Sequence, residues 1–164
     1  MKKNIAKVLI ITMFLAVLPA CNSQPQQSAE GMAIEAVYSL DQKISSNSKT
    51  VSESISKMQS IVLTGCPPDF VDAYRAYVKS WTKLADIEQK MYTANMQKAT
   101  GDIENFLSEY QSNPTKATVE LKTGWPSFAK QIDVAVADIA KAYVEFTAVG
   151  LKYNAVYKTP SLLF

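Results

Sequence analysis

The chain has 164 residues, 17 basic and 15 acidic side chains, a net charge of +2 and no histidine. That length suits one domain around one core. The missing imidazole excludes Ser-His-Asp and Cys-His nucleophile activation, His-bearing zinc sites and the Glu-x-x-His motif of di-iron bundles. The near balance of charge speaks against the clustered basic face of a nucleic-acid binder.

The chain opens with a basic segment carrying Lys2, Lys3 and Lys7, followed by the apolar run Val8 to Val17. The run has the length of a signal h-region and falls short of the ~20 residues of a membrane span. Leu18-Pro19-Ala20-Cys21 comes next, with a small residue ahead of a cysteine. These four residues resemble the lipobox of bacterial lipoproteins. The resemblance implies removal of residues 1–20, a diacylglycerol thioether on the Cys21 thiol and acylation of the freed amine. The alternative is an ordinary secretory signal cut after Ala20. Two or three acyl chains, at ~0.8 kcal/mol per buried CH2, hold a protein firmly to a membrane. Asn22 stands where the enterobacterial sorting pattern places Asp for inner-membrane retention. The resemblance therefore implies a cell-envelope protein at the outer membrane, facing the periplasm.

Without residues 1–20, which carry three lysines and no acid, 144 residues remain with 14 basic and 15 acidic groups, a net charge near −1. The sequence pI of about 8.4 thus comes mainly from the signal. If Cys21 is lipidated, Cys66 has no partner for an internal disulfide. It is then a reactive thiol, an intermolecular link or a small buried hydrophobe, and burial is the expected state.

Residues 21–31 are polar, include Pro25 and Gly31, and read as a flexible tether. Residues 32–164 form the expected domain. Over 32–63, Val37, Ile44, Val51 and Met58 recur every seven residues, with Asp41, Ser48, Ile55 and Val62 at the complementary places and Leu40 widening the stripe. This spacing predicts one helix, although Ser45-Ser46-Asn47-Ser48 are indifferent helix formers, so packing must support it. A lipidated start with a Ser-rich heptad is similar to murein lipoproteins. The likeness stops near residue 63, and the chain ends in Leu-Leu-Phe without that family's terminal lysine, so its function does not carry over.

Gly65, in a left-handed cap, and Pro67-Pro68 end that helix. Pro68, Asp69 and Asp72 suit the start of a second, over 68–99, with the face Phe70, Tyr74, Tyr77, Val78, Trp81, Leu84, Ala85, Ile87 and Met91. Its prolines and aromatic residues resemble those of uncharacterised helical lipoproteins. Thr100-Gly101-Asp102 reads as a stop, with Asp102 capping a short helix over 103–111 whose Ile103, Phe106, Leu107 and Tyr110 face inward, and 115–122 as a further turn or two. The last long helix is expected over 126–157, with the seam Ile132, Val136, Ile139, Tyr143, Phe146, Gly150, Tyr153 and Tyr157. Gly150 within it costs up to ~1 kcal/mol relative to Ala, which a close helix approach or a kink would explain. Leu162-Leu163-Phe164 is expected to dock on the end of the domain. Three long amphipathic segments and one shorter, broken one predict an all-α fold, an antiparallel four-helix-bundle-like domain.

Arg75 is the only arginine and lies between Tyr74 and Tyr77. It reads as a salt bridge to Asp72 with its guanidinium on tyrosine or, less simply, as a forked donor to a carboxylate or phosphate ligand. Tyr74, Arg75, Tyr77 and Trp81 are the candidate ligand or partner contacts, with Tyr143 as a further wall of an aromatic cavity. Tyr38, Tyr92 and Tyr110 fit their seams less cleanly and are the expected surface tyrosines. The carboxylates are scattered among polar neighbours and suggest no acid–base dyad. No cofactor, metal site or catalytic residue is expected. The first functional expectation is a non-enzymatic, lipid-anchored envelope protein that binds a protein partner or supports an envelope complex through its helical bundle. The alternatives are a periplasmic binder of a small apolar or amphiphilic ligand in an aromatic-lined cavity, and an inhibitor or immunity lipoprotein.

Overall fold

The computed structural model describes residues 28–157, the side chains of Ser45 and Ser46 excepted. The signal at 1–20, Cys21, most of the tether and Leu162-Leu163-Phe164 lie outside the described residues. Those described are helical throughout, with no strand among them: α1 (Ala29–Ser46), α2 (Val51–Gln59), α3 (Pro68–Ser80), α4 (Thr82–Tyr110), α5 (Pro114–Gly124), a 3-10 turn (Pro126–Phe128) and α6 (Ala129–Lys152). None of these helices is long and apolar enough to cross a membrane.

Polar caps set the boundaries. Ser28 Oγ accepts from the Gly31 amide at 3.0 Å, so α1 begins at Ala29, inside the expected tether. The single helix expected over 32–63 is two. Ser48 Oγ donates back to the Ile44 carbonyl at 2.7 Å and Asn47 Nδ2 to the Lys43 carbonyl at 2.8 Å, which gives the backbone an alternative to continued helix. Thr50 then starts α2 by accepting from the Glu53 amide at 3.0 Å. Gly65 has φ +84°, the left-handed region, but in a turn beyond the end of α2 rather than at its cap.

The second segment also departs from expectation. The chain turns at Trp81 between α3 and α4, and α4 then runs on through Gly101 to Tyr110. Its break is at Asn95, with φ −161° and ψ 96°, where Oδ1 accepts from the Lys98 amide at 3.0 Å. Asn95 therefore serves as an N-cap within α4, and Asp102 does not. Asp102 instead accepts from Trp125 Nε1 at 2.8 Å, while Lys98 Nζ lies 4.4 Å from the centre of the Trp125 ring, which ties the second half of α4 to the end of α5.

The most extensive packing is of α3 on α6 and of α4 on α5. Phe70, Tyr74, Tyr77, Trp81, Leu84, Met91, Ile103, Phe106, Ile132, Ile139 and Phe146 are all buried, as the helical seams predict. Tyr38 is a correction: it is 2 % exposed, in the core and not on the surface. Its ring meets Phe70, Phe146 and Tyr157 edge to face at centroid distances of 5.6, 5.4 and 4.9 Å. Gly150 makes this fit possible. A Cβ there would overlap the Tyr38 hydroxyl and lie 2.8 Å from Cζ. The close approach anticipated at Gly150 is thus of a side chain from α1.

Candidate ligand site

Where the end of α3, the end of α4 and the middle of α6 meet, they leave a cavity of about 310 Å³. Its walls include Tyr77, Trp81, Tyr110, Tyr143 and Tyr157. The rings form one edge-to-face series. Tyr110 meets Trp81 at 5.5 Å, Trp81 meets Tyr77 at 6.2 Å, Tyr77 meets Tyr143 at 6.1 Å and Tyr143 meets Tyr157 at 5.2 Å. Behind them Phe146 stacks on Tyr77 at 4.7 Å. Ile139, Ala140 and Val144 complete the α6 side, and Gln42 and Gln111 supply amides; among the described residues tyrosine is the only ionisable residue in the lining. The helical period explains the α6 contribution, since Ile139 and Tyr143 lie one turn apart on one stripe.

Trp81 is fully buried, and its Nε1 has no hydrogen-bond partner among the described residues. It neighbours the Tyr77 hydroxyl without closing a hydrogen bond to it. A buried donor left unpaired costs about 1–3 kcal/mol, so a native fold keeps few.

Directly behind Tyr157 lies Asp41, 0 % exposed. Tyr157 donates to its Oδ2 at 2.9 Å and Tyr74 to its Oδ1 at 3.0 Å. Burial pushes the Asp41 carboxyl up to about 6, and the two tyrosine hydrogen bonds pull against that shift. At neutral pH it is largely ionised. No lysine or arginine pairs with it among the described residues. Its charge reaches the cavity walls: besides burial, it raises the hydroxyls of Tyr77, Tyr143 and Tyr157.

Glu88, also 0 % exposed, provides the contrast. It accepts from the amides of Val51 at 3.0 Å and Ser52 at 3.4 Å, at the positive end of α2. Burial raises its carboxyl too, against the pull of those amides. Its place is structural, a cap delivered from a neighbouring helix. Among the described residues Asp41 has neither a helix N-terminus nor a cation.

Of the four candidate contacts read from the sequence, Tyr77 and Trp81 line the cavity, together with Tyr143. Tyr74 and Arg75 do not. They line a separate groove with Met58, Ile61, Leu63 and Val78, between α2 and α3. Arg75 is therefore not at the mouth of the aromatic cavity, and among the described residues it forms no salt bridge with Asp72. Tyr110, on the inward face of its helix yet also a surface candidate by its looser fit to the seam, is half-buried in the cavity wall. Cys66 is half-buried against the core, and burial raises its thiol.

Asp41 and Tyr157 are what the sequence reading missed. Asp41 occupies a seam position of the first heptad pattern, and an acid on an apolar stripe is the available signal. Among the described residues no three His, Cys, Asp or Glu side chains come together as metal ligands would. No protein-family model, curated protein or solved structure matches the chain.

Proposed function

We propose that this chain is a lipid-anchored protein of the cell envelope whose helical domain, an antiparallel four-helix-bundle-like arrangement, binds a small apolar or amphiphilic molecule. The observation that carries the binding reading is the cavity of about 310 Å³ walled by five linked aromatic rings. A volume near 300 Å³, a mostly apolar lining and a few placed polar groups are the usual properties of a small-molecule site. Binding fits better than catalysis, because among the described residues tyrosine is the only titratable residue in the lining. The anchor rests on the order of basic segment, apolar run and Leu18-Pro19-Ala20-Cys21.

The neutral fluorophore N-phenyl-1-naphthylamine tests the cavity. Saturable fluorescence enhancement with one probe per chain is expected, and Ala140→Trp, at an exposed position on the rim, abolishes it while leaving the helical circular dichroism unchanged. No saturable signal, or the same signal in Ala140→Trp, removes the cavity from consideration. The protein-partner reading would then stand alone.

A further inference from the structure

We propose that the ligand of the aromatic cavity is an organic cation, a substituted ammonium with apolar groups on its nitrogen, held by the five aromatic rings and by the negative charge of Asp41 behind them. This inference rests on the cavity being a binding site and goes further by naming the ligand's charge.

Three observations lead to it. The first is the wall itself. Tyr and Trp rings have negative faces that attract a cation within about 6 Å, and several rings around one volume form the usual receptor for alkylated ammonium groups. Here Tyr77, Trp81, Tyr110, Tyr143 and Tyr157 line one cavity, and among the described residues neither lysine nor arginine is in its lining. A ligand cation would meet no like charge there.

The second is Asp41. A carboxylate at 0 % exposure is costly unless something balances it. Two tyrosine hydroxyls hydrogen-bond to it but carry no positive charge. Glu88 shows how this fold balances a buried acid when the need is structural, by placing it on amides at a helix N-terminus. Asp41 has no such arrangement, and Tyr157 both donates to it and lines the cavity. A positive charge in the cavity would lie one side chain from the carboxylate.

The third is the reach of that charge. The groups that face Asp41 are Tyr38 from its own helix, Tyr74 and Tyr77 from α3, Tyr143 from α6, and Tyr157 after α6. All five hydroxyls are raised above the ordinary phenol range, so they stay neutral across physiological pH. Asp41 is then the one group of this set whose charge changes between pH 5 and pH 8. The field in the cavity is negative above about pH 6 and fades below it.

Benzyltrimethylammonium and neopentylbenzene form the test pair, having the same shape with nitrogen or carbon at the branch point. Binding is read from the Trp81 indole N–H resonance. The cation is expected to bind at least about fivefold more tightly at pH 7.5. That preference should fall several-fold in Asp41→Asn, to what the rings alone provide, and shrink in the wild type between pH 7 and pH 5. The pH series in the wild type stands on its own if Asp41→Asn does not fold. Equal or tighter binding of neopentylbenzene sinks the cation inference and leaves the cavity as an apolar site. A cation preference that is undiminished in Asp41→Asn and at pH 5 removes Asp41 from the site. No shift with either compound, where N-phenyl-1-naphthylamine still binds, overturns this inference alone; failure of all three probes overturns the binding reading as well.

Discussion

Tyr157 Oη donates to Asp41 Oδ2 at 2.9 Å and so joins residues 116 positions apart. The contact brings the segment after α6 back onto α1 and completes the cavity wall with the same ring. Tyr157→Phe keeps the ring and removes the donor. A hydrogen bond to a charged acceptor contributes about 1.5–3 kcal/mol, so chemical denaturation at pH 7.5 should show a loss in that range. The Asp41 carboxyl should also rise further, since that bond holds it down. A variant as stable as the wild type would mean that the contact is not maintained in solution.

The Asp41 carboxyl makes stability depend on pH in an unusual direction. Its folded value of about 6 lies above that of an exposed Asp, so the folded chain holds a proton that the unfolded chain has already released. The stability from this group is fully present below the unfolded value near pH 4 and is lost as pH rises through about 6. The total is about 3 kcal/mol, from a shift of roughly two units at 1.36 kcal/mol each. Asp41→Asn should therefore be more stable than the wild type at pH 7.5, and the gap should narrow towards pH 4. Urea titrations at the two pH values check it; a gap that does not vary with pH contradicts the account. A residue whose removal stabilises the fold is typical of a functional site.

Gly150→Ala tests the fit between α6 and α1. Helix propensity alone favours alanine by about 1 kcal/mol. The added Cβ, however, would overlap the phenol of Tyr38, a buried ring that cannot swing into solvent. Overpacking of this kind costs about 1–3 kcal/mol, so a lowered thermal midpoint is expected. Gly150→Ala combined with Tyr38→Phe, which removes the overlapping hydroxyl, should recover part of the loss. A raised midpoint in the single variant would show that Tyr38 does not pack here.

Glu88→Ala should be among the more damaging changes in the domain. It leaves the Val51 amide, at 3.0 Å from Oε1, without its acceptor and opens a void under α2. The expected loss is about 2–4 kcal/mol. Faster hydrogen exchange confined first to α2 would identify the cause as the lost cap, whereas uniform exchange across α1 to α6 would point to general loosening.

The anchor has its own test, the intact mass of membrane-extracted protein with and without Cys21→Ala. A mass matching residues 21–164 plus acyl chains, absent in the variant, is the expected result. An unmodified mass beginning at Cys21 would make this a secreted or periplasmic protein, with Cys21 available to Cys66.

Much of the helical content was legible because each helix keeps its apolar residues on one stripe. The α3 and α6 seams named Phe70, Tyr74, Tyr77, Trp81, Ile132, Ile139 and Phe146 correctly as core. Boundaries were harder, since local competition sets them. Ser48 and Asn47 bond back to the preceding turn and divide the first segment, while Gly101, which looked like a stop, lies within a continuous helix because Asn95 had already made the break. Propensity weighs each residue alone, whereas a cap depends on which side chain reaches which amide.

Periodicity in the chain alone thus determined that the domain is helical and which faces are apolar, since burial of a stripe follows from 3.6 residues per turn. Tertiary structure decided what those faces enclose. Tyr77 and Tyr143 share a cavity because α3 packs on α6, and Tyr74 and Arg75, three and two residues before Tyr77, fall in another groove because they lie about 60° and about 160° round the helix from it. Only the fold brings Asp41, Tyr74 and Tyr157 together, because no local pattern pairs residues 33 and 116 positions apart. The buried carboxylate beside the cavity is a property of that meeting.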